Sequence, residues 1–334
     1  MQHFNYIIIG GGMTADAAAK GIRERDAHGT IAIISKEDHP PYNRPPLTKG
    51  LWKGDHEDSI WRKTNDQNVT ILLSHEAASV NAPEKTVTDH AGNVYAYDKL
   101  LLATGSIVNH LPFDITGIIY YRTLDDYTML RALSIKSDNI LVIGGGFIGS
   151  EIAAALAMNG KKVTMIFPDA AIGARVYPAA LASFLNSYYE SKGVALITND
   201  EVVAIEKKLA TYFVQTKSGK TIKADVIIAG IGVKPDSSLA SLASLKVENG
   251  IIVDEHLRTD DINIFAAGDV ANFFSPALEK RIRVEHEDNA NMMGAMAGRN
   301  MAGANDKYDY LPFFYSDLFD LGYEAVGELN ATYD

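Results

Sequence analysis

Cysteine is absent from the 334-residue chain. That excludes disulfides, thiolate nucleophiles, iron–sulfur ligation by cysteine and any CxxC redox pair. Long apolar runs are absent too. No stretch approaches the ~20 uninterrupted apolar residues of a membrane-spanning helix. The first apolar run, residues 6–9, is too short for a signal-peptide core and ends in glycines. A cytoplasmic protein without a membrane span is therefore expected. Basic charge is scarce: Lys and Arg total 31 against 42 Asp and Glu, a net charge of −11. Nucleic-acid phosphates call for clustered Lys and Arg, and no such cluster occurs, so nucleic acid is not an expected partner. An acidic surface also slows encounter with an acidic protein unless a local basic patch intervenes. What remains is ordinary globular composition, 47% hydrophobic and 22% charged, long enough for two domains.

The dominant feature is an internal repeat. One unit reads NYIIIGGGMTA over 5–15, then an Ala-rich helix pattern, then TIAII over 30–34. The other reads NILVIGGGFIG over 139–149, then a second Ala-rich pattern, then KVTMIF over 162–167. Gly144 thus repeats Gly10 after 134 positions. Each unit is strand, tight glycine turn, helix, strand, a βαβ unit of about 30 residues. Each is followed by a β-rich stretch, 69–97 and 192–223, and by a buried-strand run ending in a turn, KLLLATG over 99–105 and DVIIAG over 225–230. A further strand over 262–270 ends at Gly268 and Asp269, and a helix with closely packing small residues is expected over 289–301. The aromatic-rich tail, 311–334, reads as strands too few to stand alone. The fold class is α/β: two Rossmann-like domains in a glutathione-reductase-like arrangement, with a truncated C-terminal α+β segment.

The glycine loops carry chemistry. In the first, Gly10 permits the turn, Gly12 lets backbone approach a pyrophosphate, and Ala15 is the small residue for helix–strand packing. The helix N-terminus offers free N–H groups and a positive dipole end. Glu37 and Asp38 follow the second strand, either as ribose acceptors or as a solvated turn. The second loop, Gly144, Gly146 and Gly149, is complete, and Asp169 lies 20 residues after Gly149. A ribose acid there favours NAD(H) over NADP(H). No arginine pair replaces it, though Arg175 is close by in sequence. Two dinucleotides in one chain suggest one flavin, FAD, and one nicotinamide, because hydride transfer needs a donor and an acceptor.

Several further segments resemble one family. They are PYNRPPLTK over 41–49 with LW at 51–52, ATG at 103–105, FIGSE at 147–151, AGD at 267–269, VEH at 284–286 and YSD at 315–317. Their order and spread along the chain are similar to those of FAD-dependent ferredoxin and rubredoxin reductases and apoptosis-inducing factor. LW and FPD (167–169) lean toward the last branch. The resemblance implies that the first loop binds FAD and the second NAD(P)H. It implies that Arg44 pairs with FAD phosphate or ribose oxygens. Lys49 and Glu151 form an ion pair beside the flavin N5 edge, and Asp269 accepts from the ribityl chain. Phe147 lies over the flavin and moves aside for nicotinamide, while Glu285, His286 and Tyr315 line the flavin's far side. Ala103, Thr104, Gly105, Gly230 and Gly268 complete the cofactor-binding set. Read without the resemblance, Lys49 is a solvated loop lysine, Glu151 an exposed first-turn acid, Asp269 a helix N-cap and His286 a structural histidine; Phe147 and Tyr315 are core aromatics.

Two departures stand out: Ser106 replaces a glycine common in the family, and the C-terminal interface domain is shortened. The expected division is an FAD domain over 1–110 and 238–310, an NAD(H) domain over 111–237 and a C-terminal piece over 311–334. The expected activity is hydride transfer from NADH to FAD, then electron transfer to a small electron-transfer protein or a quinone, with a homodimer left open. The alternative is an NADH-responsive redox sensor with slow turnover. Disulfide reduction is excluded as a catalytic route, for want of cysteine.

Overall fold

Continuous isoleucine runs such as Ile7–Ile8–Ile9 have no polar face, and a strand of that kind is stable only with both faces covered. The computed structural model, which describes residues 1–332, buries them that way. It comprises two units.

The first unit contains Met1–Asn43, Asp58–Ile107 and Lys234–Phe314. Its parallel sheet runs in the order Thr70–Leu72, Ile31–Ile34, Gln2–Ile9, Val94–Leu102, Ile264–Ala266. Ile8 pairs with Ile33 on one side and Leu101 on the other, and Leu101 with Phe265. Two antiparallel strands, Thr86–Asp89 and Ala77–Asn81, extend from the start of Val94–Leu102. The helix Met13–Arg23 buries Ala15, Ala18, Ala19 and Ile22. It packs on Glu287–Met301 with backbones nearly touching: a Cβ at Gly21, Gly294 or Gly298 would lie 2.1, 2.5 or 2.1 Å from a carbonyl oxygen of the facing helix. The small residues expected over 289–301 are thus what allows the approach. That helix begins slightly earlier, at Glu287, because His286 caps it.

The second unit contains Arg44–Glu57, Val108–Val233 and the chain from Tyr315 on. Its sheet repeats the order of the first four strands, Ala195–Ile197, Lys162–Ile166, Asn139–Ile143, Val226–Ala229, and adds Ile118–Ile119, which precedes them in sequence where the first unit's Ile264–Ala266 follows; all are parallel. A three-stranded antiparallel layer, Val202–Lys208, Thr211–Thr216 and Thr221–Ala224, precedes Val226–Ala229. The hairpin expected at Ser218–Gly219 is there, with Gly219 at φ +86°. The tail forms a hairpin turning at residues 319–320. It leans on the helix Ala179–Ser191, where Phe319 meets the rings of Tyr189 and Tyr188 edge-on at 5.0 and 5.8 Å. Tyr333 and Asp334, the end of the expected C-terminal piece, lie outside the described residues.

This division differs from the one expected in sequence, which left 44–57 with the first βαβ unit and gave the tail its own piece. Arg44–Glu57 groups with the second unit because Trp52 anchors it there. The Trp52 indole Nε1 donates to Leu47 O at 2.8 Å, its ring meets Tyr127 edge-on at 5.7 Å, and the Arg131 guanidinium lies 4.9 Å over it. Among the described residues, no helix is long and apolar enough to cross a membrane.

Candidate functional sites

In the first unit the glycine loop leaves the carboxyl end of Gln2–Ile9, where strand order reverses between Ile31–Ile34 and Val94–Leu102. Ligands of open α/β sheets bind at this switch point. Gly10 sits at φ +117°, and a Cβ there would lie 2.1 Å from Ala103 O. Gly12 is the opposite case: a Cβ there would meet nothing within 4 Å. Gly12 also caps Met13–Arg23 with no side-chain hydrogen bond, so the first helical N–H groups face an open approach. These features fit a dinucleotide pyrophosphate. Ala15 is fully buried, so this loop has room for a methyl group. Glu37, half-buried after the second strand, accepts from the Tyr42 hydroxyl at 2.7 Å. Behind the loop, Thr104 donates to Asp236 O at 2.6 Å and Gly105 O accepts from Asp236 N at 2.9 Å.

Asp269 occupies the single turn Gly268–Val270 but does not cap it; Ala267 holds that position. Gly268 passes so near Thr14 that a Cβ would lie 2.4 Å from its Oγ1, which places Asp269 beside the glycine-loop helix. Ser106, the departure from the family glycine, uses its hydroxyl to donate to Asp269 Oδ2 at 3.2 Å. His286 is a structural cap, its Nδ1 accepting from Asp288 N at 3.3 Å with the ring 5.3 Å from Phe314. Glu285 is exposed and paired with Arg283.

In the second unit the switch point recurs. Gly144 sits at φ +116°, a Cβ there would lie 2.2 Å from Gly230 O, and Gly146 is open like Gly12. Gly149 differs from Ala15, because a Cβ would lie 2.2 Å from Gly144 O. Here only glycine fits. Asp169 follows the second strand and pairs with Arg175, Nε to Oδ1 at 3.2 Å, on an exposed edge.

Next to this loop lies a polar cluster built around the Lys49–Glu151 ion pair that the resemblance implied. Glu151 is 5% exposed on the first turns of Phe147–Met158, so the exposed-acid reading fails. Its Oε2 accepts from Lys49 Nζ at 2.6 Å and Thr48 Oγ1 at 2.6 Å, and its Oε1 from Ser316 Oγ at 2.7 Å. Lys49 is likewise not solvated: its side chain is 13% exposed, with the ammonium 5.6 Å from the Tyr315 ring centre. Two buried charges with three charge-assisted hydrogen bonds form a satisfied site; removing one partner would strand the other. Arg44 is held in the same unit by donation to Arg122 O at 3.0 Å. Thr48 and Ser316 sit inside motifs already noted, LTK and YSD, but spacing gave them no role. Tyr177, missed altogether, places its ring edge-on to Phe147 at 6.1 Å and 87°. One tyrosine after a Gly-Ala-Arg-Val turn carries no signal readable in sequence.

Two repeated nucleotide-binding modules, each with an open glycine at a helix N-terminus, define an α/β oxidoreductase of the FAD-dependent NAD(P)H type. The chain belongs to the pyridine nucleotide-disulphide oxidoreductase family, whose model matches residues 4–294. It is 34% identical over 98% of its length to the ferredoxin–NAD(+) reductase component of the anthranilate 1,2-dioxygenase system of Burkholderia cepacia, covering 82% of that protein. It is 32% identical over 99% of its length to a putative mitochondrial apoptosis-inducing factor 1 of Drosophila melanogaster, of which it spans about half, 51%. Its fold superposes with a TM-score of 0.93 on a solved structure of a covalent putidaredoxin reductase–putidaredoxin complex, at 30% identity over 100% of this chain and 83% of that one. Having no cysteine, this chain carries none of the disulphide chemistry in the family's name.

Proposed function

We propose that the chain takes hydride from NADH onto FAD and passes the electrons to a small electron-transfer protein of the ferredoxin or rubredoxin kind. The observation that carries this is the pairing of an open glycine loop, Gly144–Gly149, with the buried Lys49–Glu151 pair in one unit. The named activities of the reductase relatives support the choice of acceptor. In this reading Gly10, Gly12 and Ala15 admit the FAD pyrophosphate, and Asp269, oriented by Ser106, accepts hydrogen bonds from its sugar-alcohol chain. Gly144, Gly146 and Gly149 admit the NADH pyrophosphate, and Asp169 accepts from the adenosine ribose. Bound FAD supplies the hydride acceptor. The chain's own residues orient it and hold charge: Lys49 presents a fixed ammonium whose counter-charge Glu151 is locked by Thr48 and Ser316, and Phe147 covers the nicotinamide position. The assignment of FAD to the first unit and NAD(H) to the second belongs to this proposal, as does a cytoplasmic setting.

The test is anaerobic mixing of purified protein with NADH or NADPH. NADH should bleach the visible flavin band, faster than NADPH does, and reoxidation should follow addition of an iron–sulfur protein. A flavin that stays oxidised would overturn the reading. The likeness to apoptosis-inducing factor across 99% of the chain favours a second reading, an NADH-responsive redox sensor. Fast bleaching followed by slow reoxidation with every acceptor would select it.

A further inference from the structure

Tyr177 is almost fully buried, 2% exposed, yet among the described residues its hydroxyl has no well-formed hydrogen bond, just a loose contact with Ser316. Burial pushes its ionisation well above the ordinary phenol range, with the neighbouring Tyr323 and Glu151 adding to the effect. So loose a contact does little to hold the loop in place, and what this residue mainly contributes is its ring. The ring is tightly seated. One edge lies on the Gly173 backbone, where a Cβ would be 2.2 Å from Cδ2. Gly173 sits at φ +65°, its N donates to Gly145 O at 2.8 Å, and its O accepts from Tyr177 N at 2.8 Å. The glycine loop and the tyrosine are thereby fastened together. Tyr323 of the tail hairpin closes the other side, at 4.8 Å and 72°. What the seated ring meets is Phe147, the first residue of the helix that follows the open Gly146.

We propose that Tyr177 is a positioning residue for Phe147: its ring, clamped between Gly173 and Tyr323, holds the Phe147 ring over the nicotinamide position and so sets how readily NAD(H) displaces it. This rests on the functional reading above, in which Phe147 moves aside for nicotinamide. An edge-to-face contact contributes about 0.5–1.5 kcal/mol. Removing it lowers the cost of moving Phe147 by that amount, equivalent to about two- to tenfold in binding.

The experiment is NAD+ binding by calorimetry, with NADH-driven flavin reduction, on the full-length FAD-loaded protein carrying Tyr177→Ala or Tyr177→Phe. Tyr177→Ala should tighten NAD+ binding and lower the KM for NADH by about two- to tenfold, while the limiting rate of flavin reduction stays within experimental error of wild type. Tyr177→Phe keeps the ring and should match wild type. Unchanged binding and KM in Tyr177→Ala would overturn the proposal, as would an equal change in both variants, which would assign the effect to the hydroxyl. If the alanine variant does not fold, Tyr177→Leu carries the same test. Failure of the wild-type protein to reduce its flavin or bind NAD+ would be failure of the functional reading instead.

Discussion

Glu151 shows how a short motif becomes a site. In sequence it is an acid in the first turns of a helix, a position the helix dipole favours even in full solvent. In the fold it is buried, and three donors from two distant segments reach it: Lys49 and Thr48 from one, Ser316 from the other. Removing one member of such a pair leaves an uncompensated charge. Lys49→Met is expected to cost about 3–5 kcal/mol of stability in chemical denaturation, and Lys49→Met/Glu151→Leu to recover most of it. A single variant within about 1 kcal/mol of wild type would show the pair to be open to water. Asp169 gives the corresponding test of cofactor choice. Its carboxylate is the expected acceptor for the ribose hydroxyls, and a hydrogen bond to a charged group contributes about 1.5–3 kcal/mol. Asp169→Ala should therefore lower the ratio of kcat/KM for NADH over NADPH by about tenfold or more. A ratio that does not move would remove Asp169 from the site.

The two glycine loops look alike in sequence, and the neighbours they pack against set them apart. Ala15 fits because the first loop leaves room for its methyl group, whereas at Gly149 the Gly144 carbonyl lies 2.2 Å from where a Cβ would be. Gly149→Ala should force the loop open and abolish NAD+ binding in calorimetry while the protein still purifies with FAD. Ala15→Gly should keep both cofactors at a small cost in stability. Loss of FAD with retained NAD+ binding in Gly149→Ala would reverse the assignment of the loops. The strand–loop–helix starts were legible because continuous isoleucines, a glycine turn and an alanine-rich stripe each have one cheap conformation. The segment 44–57 was not legible, since its membership depends on where Trp52 finds Tyr127 and Arg131. Nor was the earlier start of the helix Glu287–Met301, which a histidine cap decides.

Several tyrosines are packed into both units, and burial raises their ionisation. Tyr6 is pushed up to about 12, first by burial and then by its hydrogen bond to Asp26; Tyr97, Tyr189 and Tyr308 are raised by burial in the same way. The native state therefore keeps phenol protons that the unfolded chain releases near the ordinary value of about 10. Between those values the native state binds more protons, so stability must fall as pH rises. The tyrosine contribution should be level below about pH 10, and stability should decline steadily from pH 10 toward 12, with a shallower decline in Tyr6→Phe. A denaturation midpoint that stays constant across that range would contradict the burial of these hydroxyls.

The repeat in the sequence, offset by 134 positions, determined that there would be two copies of one βαβ design and which glycines would turn them. Local sterics suffice for that: glycine alone is at ease at the φ of +117° and +116° that Gly10 and Gly144 take, and apolar strands have only one place to go. Composition likewise removed cysteine chemistry without reference to any fold. The tertiary structure decided what surrounds each loop. It brought Thr48 and Ser316 to Glu151, Ser106 to Asp269 and Tyr177 to Phe147. Such contacts join residues up to 165 positions apart. No local pattern encodes them, because they follow from how packed elements share a limited interior, where a buried charge must find its partners and an aromatic ring its neighbours.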